Sequence, residues 1–359
     1  MERQGPDDPR SHSVELVERG DIDGLTVYVD ELVRAQKWAE LEGLRTRCRQ
    51  ALQRGKQLWA VAAHIEYRLC LEAPAEWGAV MLESGTGRFA FGPLPEVAAS
   101  THAWADLSPH LHATPQAAMA AHERVLRGDV LTDDPVAATL PEVLDLPLRV
   151  EPWEPPYALA EYHPDRLEAP SPKMPPLQPV PADLTGQSHH GAGTGVAMGE
   201  GLAPTSGRGE ADEVSSALEE LVNTWTTESN GRAEAVSVRG DAPAAVSALG
   251  APLRELVELT PGEALAAMAW AAANGGAHGR RPGAAPGRFA AWWVVAALGG
   301  LTDRWPLPPG DLGAVLDGTR WYAWGSGEPA TGWALRIAVE VTGGPQKGRA
   351  SAVSATDAA

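Results

Sequence analysis

Glu228, Ser229, Asn230 and Arg232 crowd into one short polar stretch, Thr226 to Arg232, and His278 follows in a glycine-rich loop. A carboxylate and an imidazole near a guanidinium can run acid–base chemistry when burial or neighbours bring their pKa values toward the working pH. Glu228, Arg232 and His278 are therefore the candidate catalytic set, with Ser229 and Asn230 as ligand contacts. The competing reading is structural: polar turn residues commonly bond their own backbone, and Glu228 can simply pair with Arg232. A second chemistry lies in the loop Gly275 to Gly287. Free backbone N–H groups at a helix start, with Arg280, Arg281 or Arg288, can hold an anion. The loop matches neither the Walker pattern nor a dinucleotide fingerprint, so a flexible connector competes with the anion site.

His102, His110, His112 and His122 gather within about twenty residues, which invites a metal reading. Zinc needs three or four converging ligands with supporting partners. Pro109 and Pro115 interrupt the segment, so surface or packing histidines are the expectation and no metal site is assigned. No cofactor is expected. Gly325-Ser326-Gly327 lacks the spacing of a nucleophile elbow, and a hydrolytic triad is disfavoured.

The elements that must position the polar turn are legible on either side of it. Leu218, Leu221, Val222 and Trp225 share one helical face, and Val236 and Val238 alternate as a strand, so both are expected to face one core. Asn230-Gly231 punctuates between them. Further on, Leu253 to Leu259 reads as a strand, and Thr260-Pro261-Gly262-Glu263 is a capping box that opens an apolar helix stopped by Gly275-Gly276. Phe289 to Leu298 reads as another helix. Trp333, Leu335, Ile337, Val339 and Val341 alternate against Ala334, Arg336, Ala338 and Glu340, with Thr319 to Trp324 before them and Arg349 to Ala355 returning antiparallel. Trp321 and Trp324 fall out of phase, which makes Trp324 the candidate for an exposed aromatic patch.

Residues 13 to 127 carry helical stripes. Leu25, Leu32 and Val33 follow Asp23, a candidate N-cap; Trp38, Leu41, Leu44, Cys48 and Leu52 make the next stripe, and Leu58, Ala62, Ile65 and Leu69 a third. Thr114 as N-cap and Pro115 at the first helical position start a last helix that ends near Gly128. From Pro135 to Pro181 the chain places 13 prolines in 47 residues, a density no helix interior tolerates. Residues 128 to 212 hold 14 acidic against 4 basic groups and read as an acidic Pro/Gly-rich linker, with local docking near Trp153 and Tyr157.

Composition narrows the function classes. A formal charge of −18 repels phosphate backbones and anionic lipid, so nucleic-acid and membrane-surface partners lose weight against a protein partner or a small molecule. Two cysteines, Cys48 and Cys70, make no disulfide framework and fit a reducing cytoplasm. The first residues lack an apolar core, so no signal sequence is expected, and Phe289 to Leu301 is too short to span a bilayer.

At WTTESNGRAEAVSV, at the GGAHG loop with GRFAAWWVVAALGG, and at the ending WALRIAVEV with SAVSATDA, the sequence resembles an uncharacterised actinobacterial family, domain of unknown function 6183. The likeness covers mainly residues 213 to 359 and, more loosely, the helical N-terminal half. That family has no established activity, so the resemblance implies the layout and nothing about chemistry. The expected organisation is a tail at 1–12, an all-helical module at 13–127, the linker at 128–212, and an α+β module with an antiparallel-rich sheet at 213–359. The expected function is a soluble intracellular binding or interaction protein of regulatory or immunity type. The alternative is a small-molecule enzyme using the Glu228–Arg232 turn and the Gly275–Gly287 loop.

Overall fold

A computed structural model describes residues 9–83, 92–164, 172–174, 212–327 and 332–358. The chain is α+β, with a helical N-terminal region and a C-terminal five-stranded antiparallel sheet with helices. It divides into two compact units: one from residues 1–173, 273–275 and 280–289, the other from 174–272, 276–279 and 290–359.

In the first unit, α1 (Pro9–Arg19), α2 (Ile22–Arg34), α3 (Trp38–Gln53) and α4 (Trp59–Glu72) are followed by α5 (Ala75–Glu83), α6 (Leu94–Thr101), α7 (Trp104–Leu107) and α8 (Pro115–Leu126). The helical stripes meet in one core, where Leu25, Leu41, Leu44, Cys48, Ile65 and Leu69 are fully buried. Apolar burial of this kind contributes roughly 1.5–3 kcal/mol for each large aliphatic side chain. The N-cap of α2 is Asp21 rather than Asp23: its carboxylate accepts the Gly24 N–H, and Asp23 sits inside the first turn. Thr114 caps α8 as its sequence requires, accepting the Ala117 N–H at 3.1 Å. Helix α1 begins inside the stretch expected to be a tail.

Residues 129 to 163 lack long helices or strands, as their prolines dictate, yet they bury Leu131, Ala137, Ala160 and Tyr162. The Leu131 N–H reaches the Leu148 carbonyl at 2.8 Å, and Tyr157 donates its hydroxyl to Glu154 at 2.6 Å in the region expected to dock. Extended chain can pack without periodicity, which is why a proline count alone did not reveal these contacts. Residues 165–171 and 175–211, the remainder of the expected linker with His189 and His190, lie outside the described residues.

The second unit opens with α9 (Glu213–Glu220) and α10 (Asn223–Thr227), so the expected single helix is two, interrupted at Leu221 and Val222. Strand β1 (Arg232–Arg239), α11 (Ala242–Ala248), β2 (Glu255–Leu259) and α12 (Pro261–Ala273) follow. Then come α13 (Ala284–Gly299), whose residues up to 289 count with the first unit, α14 (Pro309–Asp317), β3 (Thr319–Gly325), β4 (Trp333–Val341) and β5 (Arg349–Asp357). The strand order is β1-β5-β4-β3-β2. The capping box closes as expected: the Thr260 N–H donates to the Glu263 carboxylate at 2.7 Å, and the Glu263 N–H returns to the Thr260 hydroxyl at 3.2 Å.

Leu335, Ile337 and Val339 are buried on one sheet face, as alternation requires. The opposite face is covered too. There α11 packs Ala242, Ala245 and Val246 on Tyr322, Trp324, Ala338 and Ala352, so Ala338 is buried rather than outward. Trp324 belongs to this second core and does not form an exposed patch; the Arg336 guanidinium lies 5.7 Å from its ring centre. Pairing of Val236 with Ala352 and Val238 with Ala350 puts those valines on the α11 side. Trp225 instead meets Trp333, which shares a face with Leu335, so helix and strand do not share one core.

Candidate functional site

The polar turn is built by the end of α10. Glu228 caps that helix, its N–H bonded to the Thr224 carbonyl at 3.0 Å, and the Gly231 N–H turns back to the Trp225 carbonyl at 2.9 Å. A side-chain carbon at 231 would lie 2.8 Å from that carbonyl oxygen, so only glycine lets the chain pass from helix to strand here. The loop after α12 comes to the same place. At its start Gly276 takes φ +71, the left-handed region where glycine is at home. The His278 N–H donates to Ser229 Oγ at 3.1 Å.

Turn and loop are thus joined, through Ser229 and the backbone of His278. The side chains of Glu228, Asn230, Arg232 and His278 are exposed. Beneath them lies a group the sequence reading missed. The Ala277 N–H donates to Asp357 Oδ2 at 2.6 Å, and Asp357 is 1% exposed. Its other oxygen, Oδ1, is buried with no hydrogen-bond partner among the described residues. The signal was in the strand phase: β5 carried two residues past Ala355 sets Asp357 on the face of Val353 and Ala355, where a carboxylate is unexpected.

Aromatic rings adjoin this carboxylate. Trp225 meets Trp270 and Trp333 edge to face, each at 6.0 Å between ring centres, while Trp270 and Trp333 stack at 5.2 Å. The Trp225 indole N–H is held by the Ala271 carbonyl at 3.2 Å, which fixes the ring against α12. A side-chain carbon on Gly276 would stand 2.2 Å from Asp357 Oδ2 and 3.2 Å from Trp225, so the loop backbone lies directly on both.

The loop arginines are differently employed, within the first unit. Arg280 is exposed. Arg281 is buried and grips Glu96 with two bonds of 2.7 Å, while its third nitrogen bonds Asn274. Tyr162 donates to the same carboxylate at 2.7 Å. Burial alone would raise the Glu96 pKa, but the Arg281 charge and these hydrogen bonds hold it below the ordinary carboxylate value. Arg288 is likewise committed, bidentate to Glu154 at 2.7 Å and bonded to the carbonyls of Pro147 and Arg149. Both guanidiniums are used in paired, satisfied geometry. Glu123 stands beside them, buried, accepting the Ala285 N–H at 2.8 Å and paired with Arg127 at 2.9 Å. Burial, then the Glu96 charge, lift its pKa to about 7.

The four histidines serve separate purposes. A ring nitrogen of His102 bonds the Cys70 carbonyl, His112 bonds Glu83, and His110 is exposed. His122 is buried, and burial followed by the Arg288 charge lowers its pKa to about 4. Among the described residues, no three His, Cys, Asp or Glu side chains are grouped to hold a metal ion. In the second unit, a cavity of about 280 Å³ is lined by Leu298, Leu301, Val315 and Val341, with Asp311 its one ionisable group. None of the candidate site residues read from the sequence lines it. Among the described residues, no helix is long and apolar enough to cross a membrane.

Sequence comparison extends the resemblance to nearly the whole chain, with residues 23–358 matching one family. The chain belongs to DUF6183, a family of unknown function. No curated protein and no solved structure matches it. Family membership therefore brings no activity to the joined turn and loop, and their chemistry rests on their own residues.

Proposed function

We propose that this member of DUF6183 is a soluble intracellular binding protein, of regulatory or immunity type, that engages a protein partner through the 228–232 turn and the 276–279 loop. The observation that carries this reading is the Ser229–His278 hydrogen bond. It ties two loops into one surface while Glu228, Asn230, Arg232 and His278 keep their side chains in solvent. Loops held by rigid elements are where recognition residues concentrate, because the scaffold supplies position and the loop supplies chemistry. Carboxylate, amide, guanidinium and imidazole in one patch suit a polar, charge-matched contact.

The test combines stability with retention. Wild-type protein and the Glu228→Ala/Arg232→Ala double variant are compared by thermal melting and by mass spectrometry of what each retains from a native extract. Both substitutions are at exposed positions, so a melting temperature within about 1 °C of wild type is expected, together with loss of a discrete protein that the wild type retains. A drop of several degrees with the same protein still bound would reduce the turn to an ion-paired cap.

A further inference from the structure

We propose that Asp357 and the Trp225–Trp270–Trp333 cluster form a receptor for a primary ammonium group, which gives the partner chemistry of the surface just described and rests on that reading. Asp357 is almost completely enclosed, and a carboxylate in that position is stable only when each oxygen is served. Oδ2 is served, by the Ala277 N–H at 2.6 Å. Oδ1 has no donor among the described residues. Since Gly276 and Ala277 lie directly against the carboxylate, the missing donor has to arrive from a ligand or from water.

The surroundings select a cation. Trp225 lies close to Asp357 across Gly276, and Trp270 and Trp333 continue the indole surface from it. Indole faces attract an ammonium through the ring quadrupole, and the attraction grows as water is excluded. A primary ammonium supplies an N–H to Oδ1 and lays its alkyl stem along the rings; a guanidinium is planar and needs a wider mouth, and a quaternary ammonium has no N–H to give. Trp333, Gly276 and Ala277, the neighbours of Asp357 on this side, are half-buried and His278 beyond them is exposed, so a ligand would enter by displacing this short stretch of loop. The net charge of −18 draws cations toward the molecule at long range. A lysine side chain on a partner and a free alkylamine carry the same group.

Tryptophan fluorescence of the full chain is titrated with butylamine, with butanol as the neutral counterpart, and with a short blocked peptide containing one lysine or norleucine in its place. Saturable quenching by butylamine with none from butanol is expected, and Asp357→Asn should weaken it at least tenfold while Glu228→Ala/Arg232→Ala leaves it intact. A stronger response to the lysine peptide than to butylamine assigns the group to a protein; the reverse order assigns it to a metabolite amine. Equal responses to amine and alcohol, no saturable response, or unchanged affinity in Asp357→Asn would overturn the receptor and leave Oδ1 to water. Should Asp357→Asn fold poorly, the amine-against-alcohol comparison on the wild type and the loss expected in Trp333→Leu still decide. Because the amine probe reads Asp357 and partner retention reads Glu228 and Arg232, the two readings fail separately.

Discussion

Replacing Glu123 by glutamine isolates a single titration inside the first unit. The glutamine carbonyl can still accept the Ala285 N–H, now at 2.8 Å from Oε1, while the charge facing Arg127 is removed. In the folded protein burial and the Glu96 charge raise the Glu123 pKa from 4.5 to about 7. A raised folded-state pKa means that the folded chain holds a proton the unfolded chain has released, so the associated stability is complete below pH 4.5 and is lost as pH climbs through 7. At ~1.36 kcal/mol for each tenfold change in proton affinity, the loss is on the order of 3 kcal/mol. His64 and His122 run the other way. Burial lowers both to about 4, so they favour the folded state increasingly as pH rises toward 6.5. They are common to wild type and variant and cancel in the comparison. Melting curves of the two proteins between pH 4.5 and 8 should therefore diverge, the variant gaining on the wild type by roughly 6–12 °C at ~2–4 °C per kcal/mol. A constant offset across that range, or a gap that widens in favour of the wild type, would refute a proton on buried Glu123.

Two further substitutions probe the second unit. Because α11 covers the face opposite Ile337, Ile337→Asp and Ala338→Asp should both abolish cooperative unfolding, each burying a carboxylate at a cost of several kcal/mol; an Ala338→Asp protein that melts like wild type would sink the two-faced sheet. Thr260→Ala removes the hydroxyl half of the capping box on α12, leaving the backbone N–H at 260 on the Glu263 carboxylate, and should cost about 1 kcal/mol, seen as a fall of roughly 2–4 °C in thermal unfolding, while an unchanged midpoint would mean that the hydroxyl adds nothing to α12.

Local chemistry made much of this fold readable. Thr114-Pro115 and Thr260-Pro261 start helices where caps require it, because a cap is decided within four residues. Alternation in β4 was equally plain, and it located Leu335, Ile337 and Val339. It was silent about the other face, since alanine at 338 satisfies both an exposed strand position and a close-packed one. Val236 and Val238 misled for a related reason: periodicity says which residues share a face and not which helix covers it. The Glu96–Arg281 pair joins residues 185 apart and left no local trace. At the site, Ser229 and His278 were visible as polar residues in loops, and their meeting is a tertiary fact. Asp357 was hidden because the strand was read as ending at Ala355, two residues short of the one that breaks its apolar phase.

The makeup of the first unit also sets a timetable for biosynthesis. Glu96, Glu123 and Glu154 are all made early, whereas Arg281, Ala285 and Arg288, which serve them, belong to a stretch of the same unit that ends at 289. A ribosome adding ~5–20 residues per second releases that stretch several seconds or more after residue 173. During that interval Glu96 and Glu154 lack their guanidinium partners, while Glu123 already faces Arg127. A nascent chain that stalls before 281 would thus hold the apolar core of the helices while leaving two carboxylates, Glu96 and Glu154, without the guanidiniums that neutralise them.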